Sequence, residues 1–426
     1  MHLFALRVVN ANSRSVILAR SFSSGRVWGA KKKAAPAVGT KLLGRPGNNL
    51  KGGIVGLANV GKSTFFQAIT QSELGNPANY PFATIDPEEA RVTVPSPRLD
   101  ALADLYKPDN VVPATLTVFD IAGLVKGASK GDGLGNAFLS HIRSVDGLFQ
   151  VVRAFDDPEI THVEGTVDPI RDLEIILDEL LFKDMEFTEK SLELAERSIK
   201  RSGGDKSKMK MFQEEAATAK KVLELLNSGK RVINGSWSDR EVDIINSMAL
   251  LTAKPSVYIV NVSEDEYISK QESPRLQAVK QWVQDRSPGD RVIPVSVSLE
   301  ERLAILDNDA EREEELQSLG VNSALPEAIQ ELRKSLNLMS FFTSGKKEVR
   351  EWTIRKGSTA PQAAGVIHND LEKTFIVAHI TKYNDVLEYG GDDQKLKSAG
   401  KVQNKGKDYI MEDGDVVMFK AGAARK

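Results

Sequence analysis

Gly56-Leu57-Ala58-Asn59-Val60-Gly61-Lys62-Ser63-Thr64 satisfies the pattern G-x-x-x-x-G-K-[ST], and its reading decides the fold. Gly56 and Gly61 let the backbone wrap so that its N–H groups point inward at phosphates. Lys62 is placed to reach the β/γ-phosphates, and the Ser63 hydroxyl to face Mg²⁺. Gly53-Ile54-Val55 before the loop reads as a short buried strand, and Phe65-Phe66-Gln67-Ala68-Ile69 after it as the opening of a helix. A helix N-terminus aimed at phosphate adds its dipole. An ordinary glycine-rich turn would not need strand, loop and helix in that order. The expectation is a nucleoside triphosphate site on an α/β fold.

Outward from the loop, short apolar runs alternate with helical patterns from Lys51 to about Val297, which predicts a mostly parallel sheet. Further strands are expected at Leu116–Phe119, Leu148–Val152, Val257–Val260 and Val292–Val295. They run into polar or glycine-containing loops, where open sheets collect ligand-binding residues. Ser296, directly after the last of them, is also a candidate nucleotide contact. Between about 169 and 251 the pattern changes. Asp172–Ile199 and Met209–Leu226 carry apolar residues at helical spacing, with Ser202-Gly203-Gly204-Asp205 as a turn between them. This predicts an antiparallel helical hairpin. Its charges suit a solvated face or an arm that touches a large partner. Past residue 336, Val349–Ile354, Phe375–Ile380 and Asp415–Phe419 alternate as strands, which predicts a small separate β-rich domain.

Two further pieces belong to the phosphate site. Thr84, in Pro81-Phe82-Ala83-Thr84-Ile85-Asp86, can ligate Mg²⁺ while its N–H meets the γ-phosphate, as in a nucleotide-sensing switch loop. Asp120 ends the Leu116–Phe119 strand and opens Asp120-Ile121-Ala122-Gly123. It is placed to hold Mg²⁺ through water, with the Gly123 N–H on the γ-phosphate. The base site is expected after Val257–Val260. Guanine readers place Asn-Lys-x-Asp there, whereas this chain has Asn261-Val262-Ser263-Glu264. Loss of the hydrogen bonds that select a base costs discrimination heavily, so adenine becomes plausible.

Composition sets outer bounds. The 426 residues are 41% hydrophobic and 27% charged, enough for two or three domains with ordinary cores. A net charge of −2 exerts no global pull on nucleic acid, so any such contact must be local. The absence of cysteine excludes disulfides, thiolate metal sites and cysteine nucleophiles. No apolar run is long enough to span a bilayer. The first residues differ from this average. No acid precedes Glu73, and Arg7, Arg14, Arg20 and Arg26 are interspersed with serines and apolar residues. That pattern predicts a mitochondrial transit peptide and flexible leader over 1–49, the alternative being a basic tail.

With these residues in view, the chain resembles the Obg-like ATPase (YchF-type) family from Leu50 almost to its C-terminus. The matching segments are GLANVGKSTFFQAIT, YPFATIDPEEARV, DIAGLVKGASKGDGLGNAFLSHI, DDPEITHVEGTVDPIRDLEII, NVSEDEYI, EVREWTIRKGSTAPQAAGVIHNDLEKTFI and DYIMEDGDVVMF. The resemblance implies a P-loop GTPase-like domain over 50–316, with a helical arm inserted at about 170–250. A ubiquitin-like TGS domain would follow over 337–420. It also implies preference for ATP over GTP through Asn261–Glu264. ATP contacts are implied at Asn59, Val60, Gly61, Lys62, Ser63, Thr64 and Val262, and Mg²⁺ contacts at Ser63 and Thr84. Two positions depart from the family. Ala58 stands where Pro is usual, and Gln150 stands where the family places a His in the strand before Val-x-Arg. Leu124 occupies the place of the water-orienting Gln of Ras-type enzymes, so Gln150 becomes the candidate to orient water, although it cannot act as a base. The expectation is therefore a slow, Mg²⁺-dependent ATPase switch with Lys62, Thr84, Asp120, Gly123 and Gln150 at the reacting phosphate. It would be a monomer acting with the ribosome (large subunit or whole particle) in the mitochondrial matrix or, alternatively, the cytoplasm. The rival is a ribosome-binding switch that scarcely hydrolyses or that uses GTP.

Overall fold

The computed structural model describes residues 41–44, 50–71, 89–121, 140–306 and 308–422. Its first layer is a six-stranded sheet in the order β2-β4-β1-β5-β6-β7. The strands are β1 (Lys51–Val55), β2 (Glu89–Thr93), β4 (Thr115–Asp120), β5 (Gly147–Arg153), β6 (Ser256–Asn261) and β7 (Arg291–Val295). Every neighbouring pair is parallel except β2 with β4. β5 and β6 are buried along their whole length, which is why they read as continuous apolar runs instead of alternating ones.

The helices follow in chain order as α1 (Lys62–Gln71), α2 (Pro97–Tyr106), α3 (Pro169–Arg201), α4 (Lys206–Asn227) and α5 (Asp239–Met248). They continue as α6 (Glu264–Ser269), α7 (Pro274–Arg286), α8 (Val297–Ile305), α9 (Asp309–Leu319) and α10 (Leu325–Ser335). α3 and α4 are the hairpin that the apolar spacing predicts. Asp168 caps α3 by accepting from the Ile170 and Arg171 N–H groups, and Asp205 caps α4 at Ser207 and Lys208. The root of α3 is anchored by buried Asp184, which accepts from the Leu251 and Thr252 N–H groups and the Thr252 hydroxyl.

The C-terminal sheet takes one strand from upstream. Its order is β11-β10-β12-β8-β9-β3, where β3 is Asn110–Val112, far upstream in the chain. The remaining strands are β8 (Leu338–Ser344), β9 (Glu348–Arg355), β10 (Phe375–Lys382), β11 (Gln403–Lys405) and β12 (Asp415–Ala421). α11 (Ala360–Ile367) covers one face. β3 pairs in parallel with β9, and Leu99 and Leu102 of α2 pack on Phe342 and Val349. The C-terminal region is thus joined to the upstream chain through β3 and α2. Asn110-Val111-Val112 is too short to signal a strand by itself; only its long-range partner makes it one. α10 joins the two sheets. Leu332 lies in the core beside β1 and β5, while Arg333 reaches Glu351, Ser340 and Thr353.

Candidate nucleotide site

The site forms where β1, β5 and β6 end, at the edge where an open parallel sheet presents its loops. Residues 56–61 leave β1 and enter α1 at Lys62. Two backbone conditions shape the loop. Gly61 has φ +99°, and a Cβ there would lie 2.6 Å from the Asn261 Nδ2 atom. A Cβ on Gly56 would meet the Val151 carbonyl oxygen at 2.5 Å. Asn59 itself takes φ +62°, a conformation its short polar side chain tolerates.

Asn261 locks this loop to the base side. Its Nδ2 donates to the Val60 carbonyl at 3.1 Å, and its Oδ1 accepts from the Val297 N–H at 3.2 Å. One amide therefore bridges the phosphate loop and the start of α8. Val262 is buried, and its N–H donates to the Val295 carbonyl. Ser296 is also buried, but its hydroxyl is occupied as the cap of α8, accepting from Leu299 and touching the Ser298 hydroxyl. Glu264 opens α6, and its carboxylate is held by Arg302, which also pairs with Glu315.

At the phosphate end, Lys62 is buried and folded back, its ammonium donating to the Leu57 carbonyl at 2.6 Å. Burial pushes the Lys62 ammonium below the ordinary lysine range, against the opposing pull of the Asp120 carboxylate. Ser63 is exposed and Thr64 half-exposed at the start of α1. Asp120 Oδ1 is buried and has no hydrogen-bond partner among the described residues. A buried carboxylate oxygen left in that state is costly unless a cation or ordered water meets it, so the donor set fits Mg²⁺. No three His, Asp or Glu side chains converge on a metal position among the described residues. That suits Mg²⁺, which keeps water and phosphate oxygens around it. Thr84, Gly123 and Leu124 lie outside the described residues.

Gln150 is the candidate that the structure moves. Its backbone pairs with Val55, one residue before the phosphate loop. Strand alternation turns Phe149 toward α1, where its ring lies 5.8 Å from Phe65, and turns Gln150 to the opposite face. There its Nε2 donates to the Ser256 hydroxyl at 2.9 Å. Ser256 also accepts from buried Arg231, which binds Tyr258, Ser287, Asp290 and the Lys254 carbonyl. Gln150 belongs to that buried polar network and is not brought to the phosphates.

A residue that sequence reasoning missed stands at the end of the same strand. Arg153 is 2% exposed and donates to the Asn59 carbonyl at 3.4 Å and the Ile160 carbonyl at 3.1 Å. Asn59 Nδ2 in turn donates to the Thr161 carbonyl. The loop after β5 therefore braces the phosphate loop from outside. It is held by His162, whose Nδ1 accepts from the Glu164 N–H, which leaves Nε2 to donate to Asp172 of α3 at 2.8 Å. An arginine closing a strand that is otherwise apolar apart from Gln150 was the available signal.

Comparison with known proteins agrees with this geometry. Residues 51–185 match a family model described as "50S ribosome-binding GTPase", and residues 338–422 match the YchF-GTPase_C model, described as "Protein of unknown function (DUF933)". The chain is 63% identical to "Obg-like ATPase 1" of Saccharomyces cerevisiae over 385 residues, covering 90% of this chain and 97% of that protein. It is 48% identical to "Obg-like ATPase 1" of Gallus gallus over 92% of this chain and 97% of the relative. The solved structure of the Schizosaccharomyces pombe YchF GTPase superposes with a TM-score of 0.82 at 56% identity, covering 89% of this chain and all of that one.

Proposed function

The chain belongs to the Obg-like ATPase (YchF) family, and from that premise we propose that it is a Mg²⁺-dependent switch that binds and hydrolyses ATP in preference to GTP and acts with the ribosome. The observation that carries the nucleotide reading is the Asn261 bridge, which holds a complete phosphate loop in register with the base-side loops. The adenine reading is supported on that same side. Lys is absent from Asn261–Glu264, and one oxygen of the Glu264 carboxylate is engaged by Arg302, which weakens the guanine-reading arrangement.

In the proposed cycle the Lys62 ammonium leaves the Leu57 carbonyl for the β/γ-phosphates, a charge-assisted contact in a nearly dry site. The phosphate-loop N–H groups stabilise charge on the transferring phosphoryl group. Ser63 and Asp120, with Thr84, would hold Mg²⁺, which supplies charge neutralisation at the β- and γ-oxygens. Thr84 and Gly123 would sense the γ-phosphate. With Gln150 turned away, no described side chain is assigned to orient the attacking water, which supports slow intrinsic turnover that rises with a partner. Ribosome association is supported by the match of residues 51–185 to the family of 50S ribosome-binding GTPases. A mitochondrial location is supported by the acid-free, Arg- and Ser-rich leader.

Calorimetric titration with ATP, GTP and the diphosphates tests the base preference. Tighter ATP binding is expected, with Val262→Lys combined with Glu264→Asp shifting preference toward GTP. Equal or tighter GTP binding by the wild-type chain refutes it. Import of a reporter fused to residues 1–50 tests the compartment; a diffuse cytosolic reporter refutes the leader's role.

A further inference from the structure

The α3–α4 hairpin separates its charges along its length. From Asp172 to Glu196, α3 carries nine acids against two bases, Lys183 and Lys190. From Arg197 to Lys210, across the turn, six cations (Arg197, Lys200, Arg201, Lys206, Lys208 and Lys210) stand with a single acid, Asp205. All six are exposed. Arg197 pairs with Glu193 at 2.5 Å, while Lys208 and Lys210 lie at 3.7 and 4.0 Å from their nearest acids. Lys200, Arg201 and Lys206 make no ion pair among the described residues.

The fold accounts for only half of this. Lys200 and Arg201 close α3, where cations complement the negative end of the helix dipole. Lys206, Lys208 and Lys210 open α4, whose first turn holds no acid, so they run against its dipole. Local electrostatics favours acids there, and an external anion is what would reward lysines. The position favours an encounter as well. Burial of α3 in the body ends near Asp184, beyond which its buried residues are Thr188 and Ala195. The seventeen residues after Asp184 extend the tip roughly 25 Å at the helical rise.

We propose that this tip docks on the phosphate backbone of folded RNA, an inference that deepens the ribosome reading by assigning the arm its partner chemistry. Arg197 and Arg201 supply planar forks and the lysines compact charges, the two donor types that phosphates take. Cations lie on both helices around the turn, and the six exposed charges outnumber the two exposed apolar side chains near them, Leu194 and Met211, which favours phosphate over a bilayer surface.

The test uses the full chain and Lys206→Glu/Lys208→Glu/Lys210→Glu, with the Lys→Gln triple variant alongside. Binding to a structured RNA oligonucleotide is read by fluorescence anisotropy from low to high salt, and ribosome binding by co-sedimentation. RNA affinity should fall at least about tenfold, and the slope of log K against log salt by about 2–3, near one for each phosphate that the tip no longer neutralises. ATP binding should be unchanged, and Tm unchanged or higher, because glutamates suit a helix N-terminus. An unchanged RNA affinity and salt slope overturns the proposal, as does binding of phosphatidylserine vesicles in place of RNA. If wild type and variant sediment equally with ribosomes, the tip inference fails and the ribosome reading stands. If the oligonucleotide is bound through the tip but ribosomes are not, the ribosome reading fails and the tip stands.

Discussion

Replacing Gln150 with Ala separates a catalytic side chain from a structural one. The Gln150 amide is buried, 4% exposed, and donates to Ser256 at 2.9 Å. Its removal forfeits one buried hydrogen bond, a net loss of about 1 kcal/mol. Ser256 keeps Arg231 as a donor, so no charge is stranded. Truncation at a sealed position also opens a cavity, which adds about 1–2 kcal/mol. The expected cost is therefore about 2–3 kcal/mol, a fall in Tm of about 2–3 °C for a chain of 426 residues. Turnover per bound ATP should stay within about twofold, because the side chain faces away from the phosphate loop. Single-turnover hydrolysis, normalised to nucleotide-binding sites and run beside thermal melts, reads both quantities on one preparation. A tenfold loss of rate with an unchanged Tm would refute the assignment. So would a rate gain from Gln150→His, since a ring on that face should only disturb the Ser256–Arg231 network.

Gly61→Ala should abolish nucleotide binding measured by calorimetry, because φ is +99° and the new Cβ would press on the Asn261 amide that bridges the site. Lys62 makes the nucleotide-free protein pH-dependent. Burial lowers its folded-state value, so the penalty is complete below that value and is relieved as pH rises through it toward the unfolded 10.5. Melts across that alkaline range should show a stability gain in wild type that Lys62→Met lacks; parallel curves would exclude it. Asp172→Ala leaves His162 and Arg171 without their carboxylate and should cost about 3 kcal/mol in denaturant unfolding. It should also weaken ATP binding several-fold through the Thr161 and Ile160 carbonyls that brace Asn59 and Arg153; undiminished ATP affinity would show that the brace is dispensable.

The phosphate loop, the parallel sheet around it and the helical hairpin were all legible from residue order, because each depends on interactions within a few turns of chain. A glycine that must take positive φ, an apolar run that must be buried and a 3.6-residue period are local demands that residue types state openly. The positions of Lys62, Ser63 and Asn261 followed from the same spacing. Direction did not. Gln150 lies one strand from the loop in register, yet the pleat decides which face its amide takes, and an Arg231 that is 81 residues later in the chain decides what it meets. Asn110–Val112 became a strand only because Glu348–Arg350 lie beside it. Arg153 acquired a role through carbonyls of a loop with no regular structure of its own. Residue order alone placed a phosphate-binding loop at the end of β1, since that needs only a few adjacent residues. Which buried polar groups turn toward that loop was set by the packed fold, because long-range contacts choose their partners.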